Sequence, residues 1–308
     1  MRHLLVVPHG PLASLPLHLL VTSPPPPDAS SGLEWLARSF AVTTLPAVTT
    51  LRALRRTARP SAAGEPFRGI GDPALGGGAP AGRGLVMADL YSARGLGDVE
   101  QLRALPPLPE AADELRTLAA ALGADERSLL LGRAATETAV KAADLAGARV
   151  IAFATHAVVA GELEGLAEPA IVLTPPEVAT EQDDGLLTAS EVAQLKLDAD
   201  FVLLSACNTA APDGTPGASG LSGLAKAFVY AGTRSLLVSH WAVYSAAAEQ
   251  LTTRMFAELA REPGLGRAEA LRRSMLALID GGGRLAHPAA WAPFVVVGEG
   301  GAAARRAP

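Results

Sequence analysis

The chain has 308 residues, 49% of them apolar, a formal charge of −5 and a single cysteine. This much apolar surface suits one large α/β domain or two smaller ones, and excludes a disordered chain. With no basic run larger than Arg52-Ala53-Leu54-Arg55-Arg56, nucleic acid is a poor partner, and one thiol permits neither an internal disulfide nor a multi-thiolate zinc site.

In chain order, residues 4–7 are expected to form a strand, and Pro8 stops that run well short of a signal-peptide core. No later apolar span reaches the roughly 18 residues needed to cross a bilayer, so the chain reads as cytoplasmic, without a membrane partner. Prolines 24–27 read as an exposed extended loop. Short helices are expected over 33–38 and 51–58, separated by the β-branched Val42-Thr43-Thr44-Leu45. Residues 64–105 are rich in Pro and Gly, with one buried strand at 67–71. From Pro109 the signals sharpen. Ala111, Leu115, Leu118, Ala119 and Leu122 recur at helical spacing behind an acidic first turn of Glu110, Asp113 and Glu114, and Gly123 closes the helix. A strand at 128–132, a helix at 136–145, strands at 149–155 and 171–173, and a helix from Thr188 follow, the last carrying a capping box in Thr188 and Glu191. Then come a strand from 201, a helix at 221–230 ended by Gly232, a strand at 235–239, helices at 246–261 and 268–280, and a last strand at 294–297. This alternation implies a mostly parallel sheet with helices on both faces. There is no internal repeat.

Two of these strands lead into reactive side chains. The run that begins Phe201-Val202-Leu203-Leu204 is short and apolar on both faces, as a central parallel strand covered by helices must be. It delivers Cys207 to the carboxyl edge, where α/β sheets bind their ligands. The run from Arg149 to Thr155 is a second buried strand. It ends on His156, followed by the small, loop-like Ala157-Val158-Val159-Ala160-Gly161. If the two strands are neighbours, His156 faces Cys207 across one or two inter-strand spacings. A free cysteine is among the most buried residue types, so Cys207 alone reads as packing. A histidine on an adjacent strand tip turns the reading toward a nucleophile and its base. The histidine comes first, 51 residues earlier, which matches the order and approximate spacing of caspases.

In combination, Ala154-Thr155-His156, Leu204-Ser205-Ala206-Cys207-Asn208-Thr209, Gly223-Leu224-Ala225-Lys226-Ala227-Phe228 and Ser239-His240-Trp241 resemble the CHAT family, in the caspase–separase group of cysteine peptidases. Flanking segments extend the resemblance over about residues 1–298, among them Val7-Pro8-His9-Gly10, Gly71-Asp72-Pro73, Asp184-Gly185-Leu186-Leu187 and Trp291-Ala292-Pro293-Phe294. The resemblance implies a caspase-like three-layer α/β sandwich. It also implies a single domain over 1–298, with a diverged N-terminal portion (1–105), a catalytic core (106–298) and a flexible tail (299–308).

The implied activity is that of a bacterial-type cysteine endopeptidase acting on a protein or peptide partner. His156 draws the thiol proton of Cys207, the thiolate attacks a peptide carbonyl, and water hydrolyses the thioester. The backbone amides of Ala157 and Cys207 hold the oxyanion. The first position is commonly glycine in the group, but only the N–H is needed. The segment Ser239-His240-Trp241-Ala242-Val243-Tyr244-Ser245 should line the substrate pocket together with Ser205. Separase-like relatives carry aspartates there that accept a basic residue; the matching positions here are Ala242 and Ser245. Asp183 and Asp184 are substitute acids, or else a solvated turn. No third residue to orient His156 is identified. No cofactor or metal is expected. Walker, G-x-G-x-x-G and H-E-x-x-H patterns are missing, Gly217-Ala218-Ser219-Gly220-Leu221 fails the serine elbow at its last position, and His3, His9, His18 and His287 have no ligand spacing. Many family members attach this domain to helical repeats that sense a trigger, so a repeat segment or an activator protein is the expected regulator. The alternative is a CHAT-like interaction module that keeps the dyad without turnover, favoured by Ala157 and the missing pocket aspartates.

Overall fold

The computed structural model describes residues 2–24, 32–56, 61–77, 97–158, 168–205, 223–241 and 245–301. In chain order these form β1 (Arg2–Val6), α1 (Leu36–Ser39), β2 (Phe40–Thr44), α2 (Val48–Arg56), β3 (Glu65–Pro73), α3 (Val99–Arg103), α4 (Ala111–Ala121) and β4 (Leu129–Gly132). There follow α5 (Glu137–Ala142), β5 (Ala148–Ala154), β6 (Ala157–Val158), β7 (Ala170–Val172), β8 (Leu186–Thr188), α6 (Ala189–Gln194) and β9 (Phe201–Ser205). The chain closes with α7 (Gly223–Ala231), β10 (Ser235–Ser239), α8 (Ser245–Arg261), α9 (Arg267–Gly281), α10 (Pro288–Trp291) and β11 (Phe294–Gly298).

Among the described residues, eight strands make one sheet in the order β1-β2-β11-β10-β9-β5-β3-β4. Every pair is parallel except β10 with β11, so β4, β3, β5, β9 and β10 run one way and β11, β2 and β1 the other. The opening third of the chain contributes to both ends: β1 and β2 extend the sheet beyond β11, and β3 lies inside the parallel block, between β5 and β4. The carboxyl edge of that block also receives the start of β11, because Ser239 pairs with Phe294.

The central strands are apolar on both faces because both faces are covered. Ala152, Ala154, Phe201, Leu203 and Leu237 pack under α4, α8 and α9. The alternate residues Ile151, Phe153, Val202, Leu204 and Leu236 pack against α5, α6 and α7. This is a three-layer α/β sandwich. The expected capping box is present: Thr188 accepts from Glu191 N at 3.4 Å, and the Glu191 carboxylate accepts from Thr188 N at 2.9 Å.

Three local expectations differ. The helix expected to reach residue 145 stops at Ala142, because Asp144 takes the Gly147 amide at 3.1 Å and forms a turn in place of another helical turn. The strand near 171 does not join the main sheet; β7 pairs antiparallel with β6 and β8 in a separate three-stranded sheet. No helix stands between β7 and β8, and antiparallel neighbours need none. Ala157 and Val158, expected to open a loop, are instead the strand β6.

Near the carboxyl edge, β3 comes unusually close to β5. A Cβ on Gly71 would collide with the Ala154 carbonyl oxygen and lie 2.9 Å from Leu115 Cδ1. The next residue, Asp72, has φ 49°, at the register shift in the pairing of β3 with β4, which resumes at Pro73 opposite Gly132. Gly71→Ala should therefore lower stability by about 1–3 kcal/mol, through overpacking against backbone that cannot move aside. The check is urea unfolding, where a lower midpoint at unchanged slope is expected. An unshifted midpoint would show that the β3–β5 contact yields freely.

Candidate active site

The register of β5 on β9 ends with Ala154 opposite Ser205. His156 follows two residues beyond Ala154, and Cys207 two residues beyond Ser205. Cys207 and Tyr244 lie outside the described residues.

The tip of β5 is fixed by its surroundings. Thr155 is buried and donates through Oγ1 to the Val172 carbonyl at 2.6 Å, and Val172 N donates to the His156 carbonyl at 2.9 Å. The His156 ring is half-buried, with Nε2 2.9 Å from the Pro106 carbonyl oxygen. A carbonyl can only accept, so Nε2 carries the hydrogen, and in the neutral ring Nδ1 keeps its lone pair. Burial lowers the pKa of His156 below 6.5, and the Pro106 bond opposes this only in part. The neutral imidazole is the resting form at pH 7. The third partner that the sequence did not identify is thus a backbone carbonyl, and no side-chain pattern could have pointed to it.

Pro106 is itself held from several directions. It follows α3, whose N-terminus is capped by Asp98. Gly77 N donates to the Leu105 carbonyl at 3.2 Å and Gly76 N to that of Arg103 at 2.8 Å. Arg103 donates to the Pro176 carbonyl at 2.6 Å. Just before α3, Gly97 N donates to Asp184 Oδ2 at 2.7 Å.

This last contact bears on the acids expected to supply a pocket. Asp184 accepts from Gly97 and Leu186 amides, one on each oxygen, and Asp183 accepts from Thr138 N and Oγ1. The buried Glu137 in turn accepts from the amides of Asp184 and Gly185, and is paired with Lys141. Neither aspartate occupies a merely solvated turn: they tie α5, β8 and the approach to α3 together. Near Lys141, a cavity of about 690 Å³ opens between α5 and α6, lined by Asp144, Glu181, Glu191 and Lys196 among others. It includes none of the candidate catalytic or substrate-pocket residues.

Ala157 stands opposite Ile171, and the flanking Val172-to-His156 bond makes this the non-hydrogen-bonded kind of antiparallel pair. The N–H of Ala157 is therefore directed away from β7. Its φ is not in the left-handed region, so alanine carries no conformational cost there.

On the other flank, Ser239 is buried at the end of β10. Trp241 packs on the core under α8 and α9 and donates through Nε1 to the Ala289 carbonyl at 3.1 Å. His240 lies beside it, and burial holds its pKa at about 4. Ser205 donates to the carboxyl of Glu114 on α4 at 3.1 Å. The sequence marks Glu114 only as a first-turn acid, but its place between Ala111 and Leu118, one residue from Leu115, also puts it on the inward stripe of α4. Among the described residues, no group of three or more His, Cys, Asp and Glu side chains is arranged to hold a metal, and no helix is long and apolar enough to cross a membrane.

The model of the CHAT domain matches residues 1–299. This chain belongs to the CHAT domain family. Among curated proteins it is similar to tetratricopeptide repeat protein 28 of Mus musculus and of Homo sapiens, each 29% identical over 226 residues and 62% of this chain. The chain spans only 9% and 8% of the lengths of those two relatives. Among solved structures it is similar to the Arg-specific cysteine proteinase gingipain R, with 12% identity, a TM-score of 0.48, and 86% of this chain and 55% of that one covered. It is also similar to the Saccharomyces cerevisiae separase–securin complex, with 15% identity, a TM-score of 0.46, and 86% and 14% covered.

Burial should hold three histidines of this CHAT chain below the usual imidazole range. His18 is buried against Trp291 and bonded to the Ala292 carbonyl; it and His240 are expected to titrate near 4, and His156 below 6.5. Histidine-detected NMR titration reads this directly, with the neutral His156 as the Nε2–H tautomer. A His156 titration above 6.5, or the opposite tautomer, would contradict the Pro106 arrangement.

Proposed function

We propose that this CHAT domain is a cysteine endopeptidase acting on a protein or peptide partner, with Cys207 as nucleophile and His156 as general base. The observation that carries the reading is the parallel pairing of β5 with β9, in which Ala154 and Ser205 stand level and each precedes its reactive residue by two positions. Adjacent strands lie about 4.8 Å apart, so two chains leaving the sheet at the same height can bring an imidazole and a thiol within reach.

In this mechanism Nδ1 of His156 takes the thiol proton, since Nε2 is committed to Pro106. The thiolate adds to the peptide carbonyl, and the developing oxyanion meets the N–H groups of Ala157 and Cys207. His156 returns the proton to the leaving amine, giving a thioester, and then activates the water that hydrolyses it. Proton transfer by a positioned base contributes about 10²–10⁴-fold. Substrate is received between the strand ends, beside Ser205, Ser239, Trp241 and Tyr244. Asp183 and Asp184 are left out of this pocket because their hydrogen bonds go to the scaffold.

Residues 1–298 act as one domain, supported by a sheet that runs from β1 to β4 without a break. A lone reactive thiol suits a reducing, cytoplasmic setting. Relatives named for tetratricopeptide repeats support a helical-repeat segment or protein as the regulator.

Cys207→Ala and His156→Ala are each expected to lower kcat/KM on a cleaved peptide at least a thousandfold, with little change in the unfolding midpoint. His156→Ala should also slow iodoacetamide labelling of the single thiol at least tenfold. Cleavage that persists unchanged in both variants, or labelling that is no slower in His156→Ala, would eliminate the peptidase. A wild-type protein with a reactive thiol that cleaves nothing in a broad peptide library would favour the interaction module.

A further inference from the structure

The segment Asp184-Gly185-Leu186-Leu187 contributes nothing to the proposed pocket, and its contacts lead toward the histidine by another route. Asp184 Oδ2 accepts from Gly97 N at 2.7 Å, and Oδ1 from Leu186 N at 2.9 Å. Gly97 opens a strap, residues 97–106, that runs through α3 to the Pro106 carbonyl 2.9 Å from His156 Nε2. The strap lies close against the turn that carries Asp184. A Cβ on Gly97 would come within 2.7 Å of the Asp184 carbonyl oxygen, and one on Gly185, whose φ is 88°, would lie 3.2 Å from Leu102 Cδ1. Leu102 and Leu105 of the strap are buried among Val158, Ala170, Val172 and Leu186, on the small sheet of β6, β7 and β8. That sheet also holds the main chain of the histidine, because Val172 N donates to the His156 carbonyl. Strap and histidine thus share one support. Arg103 adds a second attachment through the Pro176 carbonyl, and the buried Glu137 fixes Asp184 from behind by accepting from the amides of Asp184 and Gly185.

We propose that Asp184 is a positioning residue for His156: by tying the strap to the start of β8, it sets where the Pro106 carbonyl stands and so how the imidazole is turned. Its two oxygens bridge the two parts, one amide from each. Hydrogen bonds to an ionised acceptor are shorter and roughly twice as strong as neutral ones, which suits a bridge that fixes a distance. Asp184 touches neither substrate nor the reacting atoms. The consequence for catalysis rests on the peptidase reading, whereas the orientation of the ring does not. A displacement of about 1 Å at a reacting group costs on the order of a hundredfold in rate. Substrate binding is left as it was.

The test compares wild type, Asp184→Ala, Asp184→Asn, Arg103→Ala and Thr188→Ala in peptide cleavage and in hydrogen exchange of the His156 Nε2–H, followed by NMR. In Asp184→Ala, kcat should fall at least tenfold with KM within twofold, and the Nε2–H should exchange at least tenfold faster. Asp184→Asn keeps one side-chain oxygen and should fall between wild type and Asp184→Ala. Arg103 is exposed, so Arg103→Ala is expected to fold, and it should shift both readouts in the same direction. Thr188→Ala breaks the neighbouring capping box without touching the strap; it should lower the unfolding midpoint and leave both readouts at their wild-type values. Wild-type kcat and exchange in folded Asp184→Ala, or in Asp184→Asn and Arg103→Ala should the alanine variant not fold, overturn the inference. So does a change confined to KM, or one that Thr188→Ala reproduces. If exchange responds to Asp184 and the wild type cleaves no peptide, the positioning role stands and the peptidase reading falls. If wild type and Asp184→Ala cleave alike and exchange is unmoved, the peptidase reading stands and the positioning role falls.

Discussion

The parallel pairing of β5 with β9 is the constraint on which the candidate site depends. Parallel strands send their carboxyl ends to the same edge, and a register that sets Ala154 level with Ser205 fixes how far each chain has still to run. The neighbours β3 and β10 complete the floor of that edge, and the close approach of β3 at Gly71 allows α4 to settle near the strand ends. The antiparallel β10–β11 pair adds the start of β11, which brings Trp291 and Ala292 to the same side. Helices on both faces make this arrangement affordable in free energy, since strands apolar on both sides would otherwise expose one of them.

Orientation of the histidine comes from main chain. The Pro106 carbonyl fixes the ring without adding a negative charge, so nothing offsets burial strongly enough to raise the His156 pKa. A carboxylate in its place would favour the imidazolium; a carbonyl leaves a neutral base with a defined lone pair. The cost of this device is that the carbonyl must itself be held. Asp184, Glu137 and the cap on α3 provide that support, and so the polar residues of this region read as scaffold once their partners are known.

Where local chemistry determined local structure, the sequence was readable. The Thr188–Glu191 box, the glycine after α4 and the apolar runs of β5, β9 and β10 each carry their own signal within a few residues. The errors fell where a partner distant in sequence decided the outcome. An apolar triplet such as Ala170-Ile171-Val172 is equally at home in a parallel sheet or in a short antiparallel one, and only its pairing with β6 and β8 distinguishes them. Asp183-Asp184 before a glycine looks like a surface turn until Thr138 and Gly97, 45 and 87 residues away, are found as its donors.

From sequence alone came a mostly parallel sheet with helices on both faces and the choice of His156 and Cys207 as candidates, because hydrophobic period and strand-end chemistry are written in contiguous residues; the resemblance of the motifs to the CHAT family implied the three-layer sandwich. Tertiary structure alone decided that β5 and β9 are neighbours, that a proline carbonyl orients the histidine, and that Glu114 lies buried with one oxygen unmatched. Those are contacts between segments 50 to 91 residues apart. Their energy depends on what packing brings together and which water it removes, and no local pattern encodes either.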